Sequence, residues 1–390
     1  MSMLAAVLLL PAALALAPPK NDLLLRLARG EAVEEAPVWL FRQAGRHMAE
    51  YNAYKEKTGK HFLQLLDDPL DVAEVTLQPL RRYGVDAAIL FSDILVVPQA
   101  LDVRVEMPGG RGIVVPEPLT AGPALLEAAK KAAADPAALV AKRLNHVTRA
   151  VSEIRSAQLA EDLDRTLLGF SAAPWTLLFY TVGGSSRNQP PGIDFARANP
   201  DETHAMLEAY TDLVVEYMSA QVDAGAHALQ VFEAMGMTLG RHDFEVLALP
   251  HLESLAHKLK ARHPDVPLLV FARGVEDPAG VNAKLQSFGY DVITLDTAAD
   301  RAASRSSLGA GQVLQGNLDP KLLLADGSSE AKLHDELEAM LGALGPDKLI
   351  ANLGEGLMGK EDQGLVNAFV DDVHATSRKL IAERNAVASR

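Results

Sequence analysis

Eight short apolar runs, separated by longer stretches of helical periodicity, constrain the fold of this 390-residue chain more than any other feature. They are Val38–Phe41, Ala87–Phe91, Thr166–Phe170, Ala228–Phe232, Pro267–Phe271, Val292–Leu295, Val313–Leu314 and Leu349–Ala351. Several are apolar at nearly every position, as strands buried on both faces should be. Between them, Pro69–Tyr83, Pro123–Asp162, Pro200–Ala224, Asp243–Arg262 and Ala331–Leu344 repeat apolar residues every three or four positions. Alternating strands and helices imply a parallel sheet. Eight such units predict a closed (β/α)8 TIM barrel, a single domain over residues 20–390.

Polar residues follow successive runs: Arg42, Asp93, Ser171, Glu233, Arg273, Asp296, Asn317 with Asp319, and Asn352 with Glu355. Barrel enzymes keep their chemistry at the C-terminal ends of the strands. An open sheet would need such groups only near its switch point.

Three clusters carry candidate chemistry. Arg42-Gln43-Ala44-Gly45-Arg46 places two guanidinium groups four residues apart, on one side if the segment turns into a helix. Such a pair suits bidentate capture of carboxylates, and equally suits surface salt bridges. Asp93 lies among apolar neighbours, where a carboxylate needs an N–H-rich ligand, a cation or a capping role. Tyr180 falls one helical turn beyond Thr176, so its hydroxyl can serve the mouth or be satisfied in the core. Glu355 stands between Gly354 and Gly356 after the last run.

Composition removes other chemistries. The chain has no cysteine, so disulfides, zinc–thiolate centres and cysteine nucleophiles are excluded. A net charge of −14 argues against nucleic acid, although one pocket can still be positive. His242, His251, His257 and His263 lack metal-binding spacing and read as solvated helix residues, so no metal is expected. The Gly109–Gly112 and Gly183–Ser186 strings lack phosphate-loop spacing and read as loops. Residues 1–19 begin with an uncharged apolar run, too short to span a bilayer, which reads as a targeting leader or a disordered extension. A leader would suit a plastid protein; otherwise the cytoplasm is expected. No second long apolar segment suggests an integral membrane protein.

Together these segments resemble the uroporphyrinogen decarboxylases, from about Lys20 to Lys379. The resemblance is carried by Pro37–Arg46, Leu90–Pro98, Gly169–Tyr180, Gln315–Pro320 and Ile350–Gly354, in that order. It implies a homodimeric barrel of heme and chlorophyll synthesis. The implied reaction removes carbon dioxide from four acetate side chains of uroporphyrinogen, giving coproporphyrinogen without a cofactor. Asp93 would accept the pyrrole N–H groups, Arg42 and Arg46 would grip substrate carboxylates, and Arg42 would take part in proton delivery. Tyr180 would bind a carboxylate near the reacting ring, and Gln43, Ala44, Gly45, Ala234 and Glu355 would border the substrate.

Three departures accompany the resemblance. Ala234 stands where the family has a small hydroxyl residue, Glu355 replaces a histidine, and the tract after Tyr180 lacks an acidic residue. Histidine can donate to a substrate carboxylate, whereas an ionised glutamate cannot. A diverged paralogue that binds porphyrinogen with weak or altered turnover is therefore the alternative expectation. Corrinoid-linked methyltransferases share the barrel but need cysteine ligands for zinc, which this chain lacks.

Overall fold

The computed structural model describes residues 17–108, 112–274 and 278–388. The leader up to Leu16 and the Gly109–Arg111 part of the first glycine string lie outside the described residues. Seven parallel strands form one sheet in sequence order: β1 Ala87–Ile89, β2 Thr166–Ala172, β3 Ala228–Glu233, β4 Leu268–Ala272, β5 Val292–Thr294, β6 Val313–Leu318 and β7 Leu349–Leu353.

Seven of the eight apolar runs are thus strands. The first, Val38–Phe41, is not a regular strand; it makes one isolated parallel bridge, Val38 with Ala351 of β7. The Ala351 N–H donates to the Pro37 carbonyl at 2.8 Å, and on the other side the Asp86 N–H donates to the Val38 carbonyl at 2.8 Å. The segment therefore lies between β7 and the approach to β1.

Side chains show that the sheet curls. Gln315 of β6 donates to the Gln230 side chain of β3 at 3.0 Å and to Thr294 of β5 at 2.9 Å. In a flat sheet β3 and β6 would be about 14 Å apart, three strand spacings. Trp39 donates through Nε1 to Gln315 at 2.8 Å, and the Phe41 ring lies 5.4 Å from Phe232 of β3. Residues two apart on a strand share a face, so Trp39 and Phe41, Gln230 and Phe232, and Leu269 and Phe271 all point into the curl. Buried amides need partners, and this ladder of donors and acceptors supplies them.

The helix Leu23–Ala28 packs its leucines against the same inner cluster. Asn21 bridges to Arg165, just before β2, so this segment covers the N-terminal ends of the strands. Toward the opposite ends, the rings of Phe41, Phe170, Phe232 and Phe271 meet mostly edge to face, an arrangement their quadrupoles favour. They form an apolar floor beneath the C-terminal mouth.

Two helical stretches are divided: the first near Asp135-Pro136, as its sequence indicates, and again at Leu144, and the second just before Pro250. Pro123–Asp162 is three helices, Gly122–Ala134, Pro136–Arg143 and Asn145–Ala160, with the Asp135 carboxylate accepting from the Ala138 N–H at 2.9 Å. Asp243–Arg262 divides into Arg241–Leu247 and Leu249–Arg262, with Pro250 in the first turn of the second. Proline is tolerated there because that N–H would lack a helical partner anyway. One histidine corrects the sequence reading: His251 is buried, its Nδ1 3.0 Å from the Thr211 hydroxyl, and burial pushes its pKa down to about 4. Among the described residues no helix is long and apolar enough to cross a membrane.

Candidate active site

The Arg42–Arg46 segment is a turn, not a helix; the next helix begins at Ala49. Two hydrogen bonds at Phe41 fix its start. The Phe41 N–H donates to the Asn352 side chain at 3.0 Å, and the Phe41 carbonyl accepts from the Leu357 N–H at 3.1 Å. Arg42 then takes a left-handed conformation, φ 60°, at a cost of about 1–2 kcal/mol for a residue with a Cβ. The buried Gln43 side chain accepts from the Leu40 N–H at 3.1 Å and donates to the Ala87 carbonyl at 3.0 Å. Its amide is therefore committed to holding the turn on β1. Ala44 and Gly45 carry the turn outward, and Arg46 lies on the rim, donating to the Met358 carbonyl at 3.1 Å.

The glycines around Glu355 mark close approaches. A Cβ on Gly354 would lie 2.2 Å from the Thr297 nitrogen, and one on Gly356 would lie 2.7 Å from Cδ of Arg42. The chain after β7 thus passes directly beneath the Arg42 stem.

Arg42, Asp93, Tyr180, Arg273 and Glu355 share one mouth. The Arg42 side chain opens onto the cleft, yet surrounding protein strips much of its solvent. That desolvation lowers its pKa, the charge of Arg273 lowers it further, and Tyr180, Asp93 and Glu355 act in the opposite direction. Asp93 is half-buried and accepts from the Leu95 N–H at 2.7 Å, a bond inside the turn that precedes the helix Val96–Ala100; that helix is capped by Leu95 without a side-chain bond, so Asp93 is not its N-cap. Burial nevertheless pushes its pKa up to about 6, against the backbone bonds and Arg42. Tyr180, near the end of the helix Pro174–Thr181, is buried, and its hydroxyl bonds with Ser186 of the second glycine-rich loop.

Other polar residues at the strand ends serve the scaffold. Glu233 is fully buried and accepts from the Thr176 hydroxyl at 2.5 Å and the Met235 N–H at 3.1 Å. Burial raises its pKa to about 7. It pins the Tyr180 helix to the end of β3. The Ala234 N–H is spent on the Thr176 hydroxyl at 2.9 Å, so position 234 offers the cleft no donor. Asn317 accepts from Arg301 at 2.7 Å, Asp319 caps the turn at Lys321, and Asp296 accepts from the Gly274 N–H at 2.8 Å.

Glu355 does not stand alone. Its Oε2 accepts from the Arg273 guanidinium at 2.7 Å, with each side chain about one-third exposed, 33% and 36%. Arg273 continues the inward alternation of Leu269 and Phe271 on β4, and this is the sequence signal that could have placed it in the site.

A family model described as uroporphyrinogen decarboxylase (URO-D) matches residues 19–376. The chain belongs to that family. A uroporphyrinogen decarboxylase of Salinibacter ruber is 41% identical over 361 residues, 92% of this chain and 97% of that one. The Homo sapiens protein of the same name is 40% identical over 367 residues, 93% and 95% of the respective chains. A solved methyltransferase from Methanosarcina mazei superposes with TM-score 0.71 at 20% identity, over 92% of this chain and 98% of that one. That likeness concerns the fold alone.

Proposed function

We propose that this protein removes the four acetate carboxyl groups of uroporphyrinogen, giving coproporphyrinogen in porphyrin and heme biosynthesis. The observation that carries the reading is the placement of Asp93 beside Arg42 above an aromatic floor, in a chain of this family.

A flat-faced apolar macrocycle with carboxylate arms fits such a cleft: rings below, guanidinium groups around the rim. Asp93 accepts the pyrrole N–H groups, and its fixed anion stabilises the positive charge that develops on the ring. A proton added to a ring carbon makes the pyrrole an electron sink. The bond to the acetate carboxylate then breaks, its electron pair flows into the ring, and carbon dioxide leaves. Protonation of the resulting exocyclic methylene and loss of the ring proton restore the pyrrole with a methyl group. Each round replaces one carboxylate by hydrogen and consumes one proton. Arg42 and Arg46 hold carboxylates, Arg42 takes part in proton delivery, and Tyr180 orients the reacting arm.

Two structural readings accompany this function. The Val38–Phe41 segment acts as the eighth strand and closes a (β/α)8 barrel, supported by its bonds to Ala351 and Asp86. The enzyme is a homodimer, to be tested by light scattering. For the activity, the protein is incubated with uroporphyrinogen under reducing conditions and the oxidised products are separated by chromatography. Stepwise loss of carboxyl groups down to coproporphyrin is expected; unchanged uroporphyrin would refute the activity. Tight binding of uroporphyrin with trace turnover would instead favour the diverged paralogue.

A further inference from the structure

We propose that Arg273 is an additional substrate-carboxylate-binding residue of this cleft and that Glu355 is its positioning residue rather than a substrate contact. The inference rests on the proposed tetrapyrrole reading and goes beyond it by assigning the carboxylate contact to Arg273 rather than to position 355.

Geometry carries it. Arg273 is fixed by its backbone, its N–H donating to the Glu233 carbonyl at 3.0 Å, while the next residue, Gly274, is tied to Asp296 at 2.8 Å. The side chain continues the inward face of β4 into the mouth. There one terminal nitrogen is held by Glu355 Oε2 at 2.7 Å across 82 residues of sequence. A guanidinium has five N–H donors in a rigid fork. Pairing with one carboxylate oxygen leaves most of that fork unspent, and the side chain remains 36% exposed. A carboxylate arriving from the cleft can be taken bidentately, which favours arginine over a point charge.

Charge gives Glu355 its purpose. The Arg273 guanidinium is close enough to Arg42 to disfavour the charge on Arg42. Glu355 acts on Arg42 as well as pairing with Arg273. It therefore lets both cations occupy one mouth before substrate arrives. The donor that an ionised Glu355 cannot offer is supplied one step away, by the arginine that it holds.

The bland alternative is that Arg273 exists only to neutralise Glu355. The double variant Arg273→Met with Glu355→Gln separates the two, because it removes a cation and an anion together and leaves the net charge of the mouth unchanged. The probe is uroporphyrin, the oxidised non-reacting octacarboxylate, titrated by fluorescence quenching alongside turnover of uroporphyrinogen. If Arg273 grips substrate, the double variant binds uroporphyrin more weakly by roughly tenfold or more. Its KM rises in parallel while kcat stays within about threefold. Affinity within twofold of the parent would overturn the proposal. Should the double variant fail to fold, Arg273→Lys provides the same test, with an expected affinity loss of about threefold or more at constant charge and unchanged affinity counting against the inference. Parent protein that binds uroporphyrin but releases no carbon dioxide would refute the decarboxylase reading alone, since the titration judges Arg273 without turnover.

Discussion

The Arg42 stem crosses the backbone at Gly356 so closely that a Cβ there would lie 2.7 Å from Arg42 Cδ. The guanidinium is thus aimed by a residue 314 positions away in the sequence. Gly356→Ala should displace it without unfolding the protein, because the atom struck belongs to a side chain. We expect kcat/KM to fall about ten- to a hundredfold, since small misplacements at a reacting centre are costly. The melting temperature should move by only a few degrees, measured by thermal denaturation of the same preparation.

Replacing Glu355 by histidine should not help. On sequence alone, Glu355→His promises a recovered donor. In the structure it breaks the 2.7 Å pair with Arg273 and leaves two guanidinium groups facing an imidazole. Steady-state kinetics near neutral pH should show kcat/KM falling severalfold, not rising. An increase would mean that Glu355 repels substrate in spite of its pairing.

The Gln43 side chain belongs to the scaffold. Gln43→Met deletes its buried bonds to Leu40 and Ala87, leaving both backbone groups unsatisfied. Urea denaturation should report a loss of about 1–3 kcal/mol. Unchanged stability would show that the turn is held by its backbone bonds alone.

Much of this architecture was legible in the sequence because its signals are local. Apolar runs such as Ala228–Phe232 and Pro267–Phe271 become β3 and β4 with little adjustment, since a strand buried on both faces leaves no polar alternation to misread. Arg42, Asp93 and Tyr180 follow or neighbour such runs, and they meet. What escaped depended on contacts distant in sequence. The Val38–Phe41 run has the composition of a strand, but its pairing rests on one bridge to Ala351. The Glu355–Arg273 pair and the commitment of Glu233 to Thr176 span 82 and 57 residues. His251 looked solvated on its helix because the Thr211 that buries it lies on another one.

Asp93 should make function and stability oppose each other. Folding raises its carboxyl pKa from an ordinary value to about 6, so between about pH 4 and 6 the folded state binds more protons than the unfolded chain. Stability contributed by this group therefore declines as pH rises through that window, and the deficit is complete above it. Asp93→Asn should stabilise the protein above pH 6 by about 1–2 kcal/mol, allowing for solvent in the open cleft. The gain should vanish near pH 4. Denaturant midpoints at pH 4 and pH 7.5 test this, and an equal effect at both would contradict it.

The most direct test of the account is single-turnover decarboxylation of uroporphyrinogen by the parent protein and by Asp93→Asn, with uroporphyrin affinity measured on both. The amide keeps the shape of the carboxylate and can still accept from Leu95, but it carries no charge to stabilise a cationic ring. The predicted result is a rate lower by about two to three orders of magnitude, with affinity changed only a few-fold. An Asp93→Asn protein that released carbon dioxide at the parent rate would contradict the account, because the reaction would then not depend on the anion at the centre of this cleft.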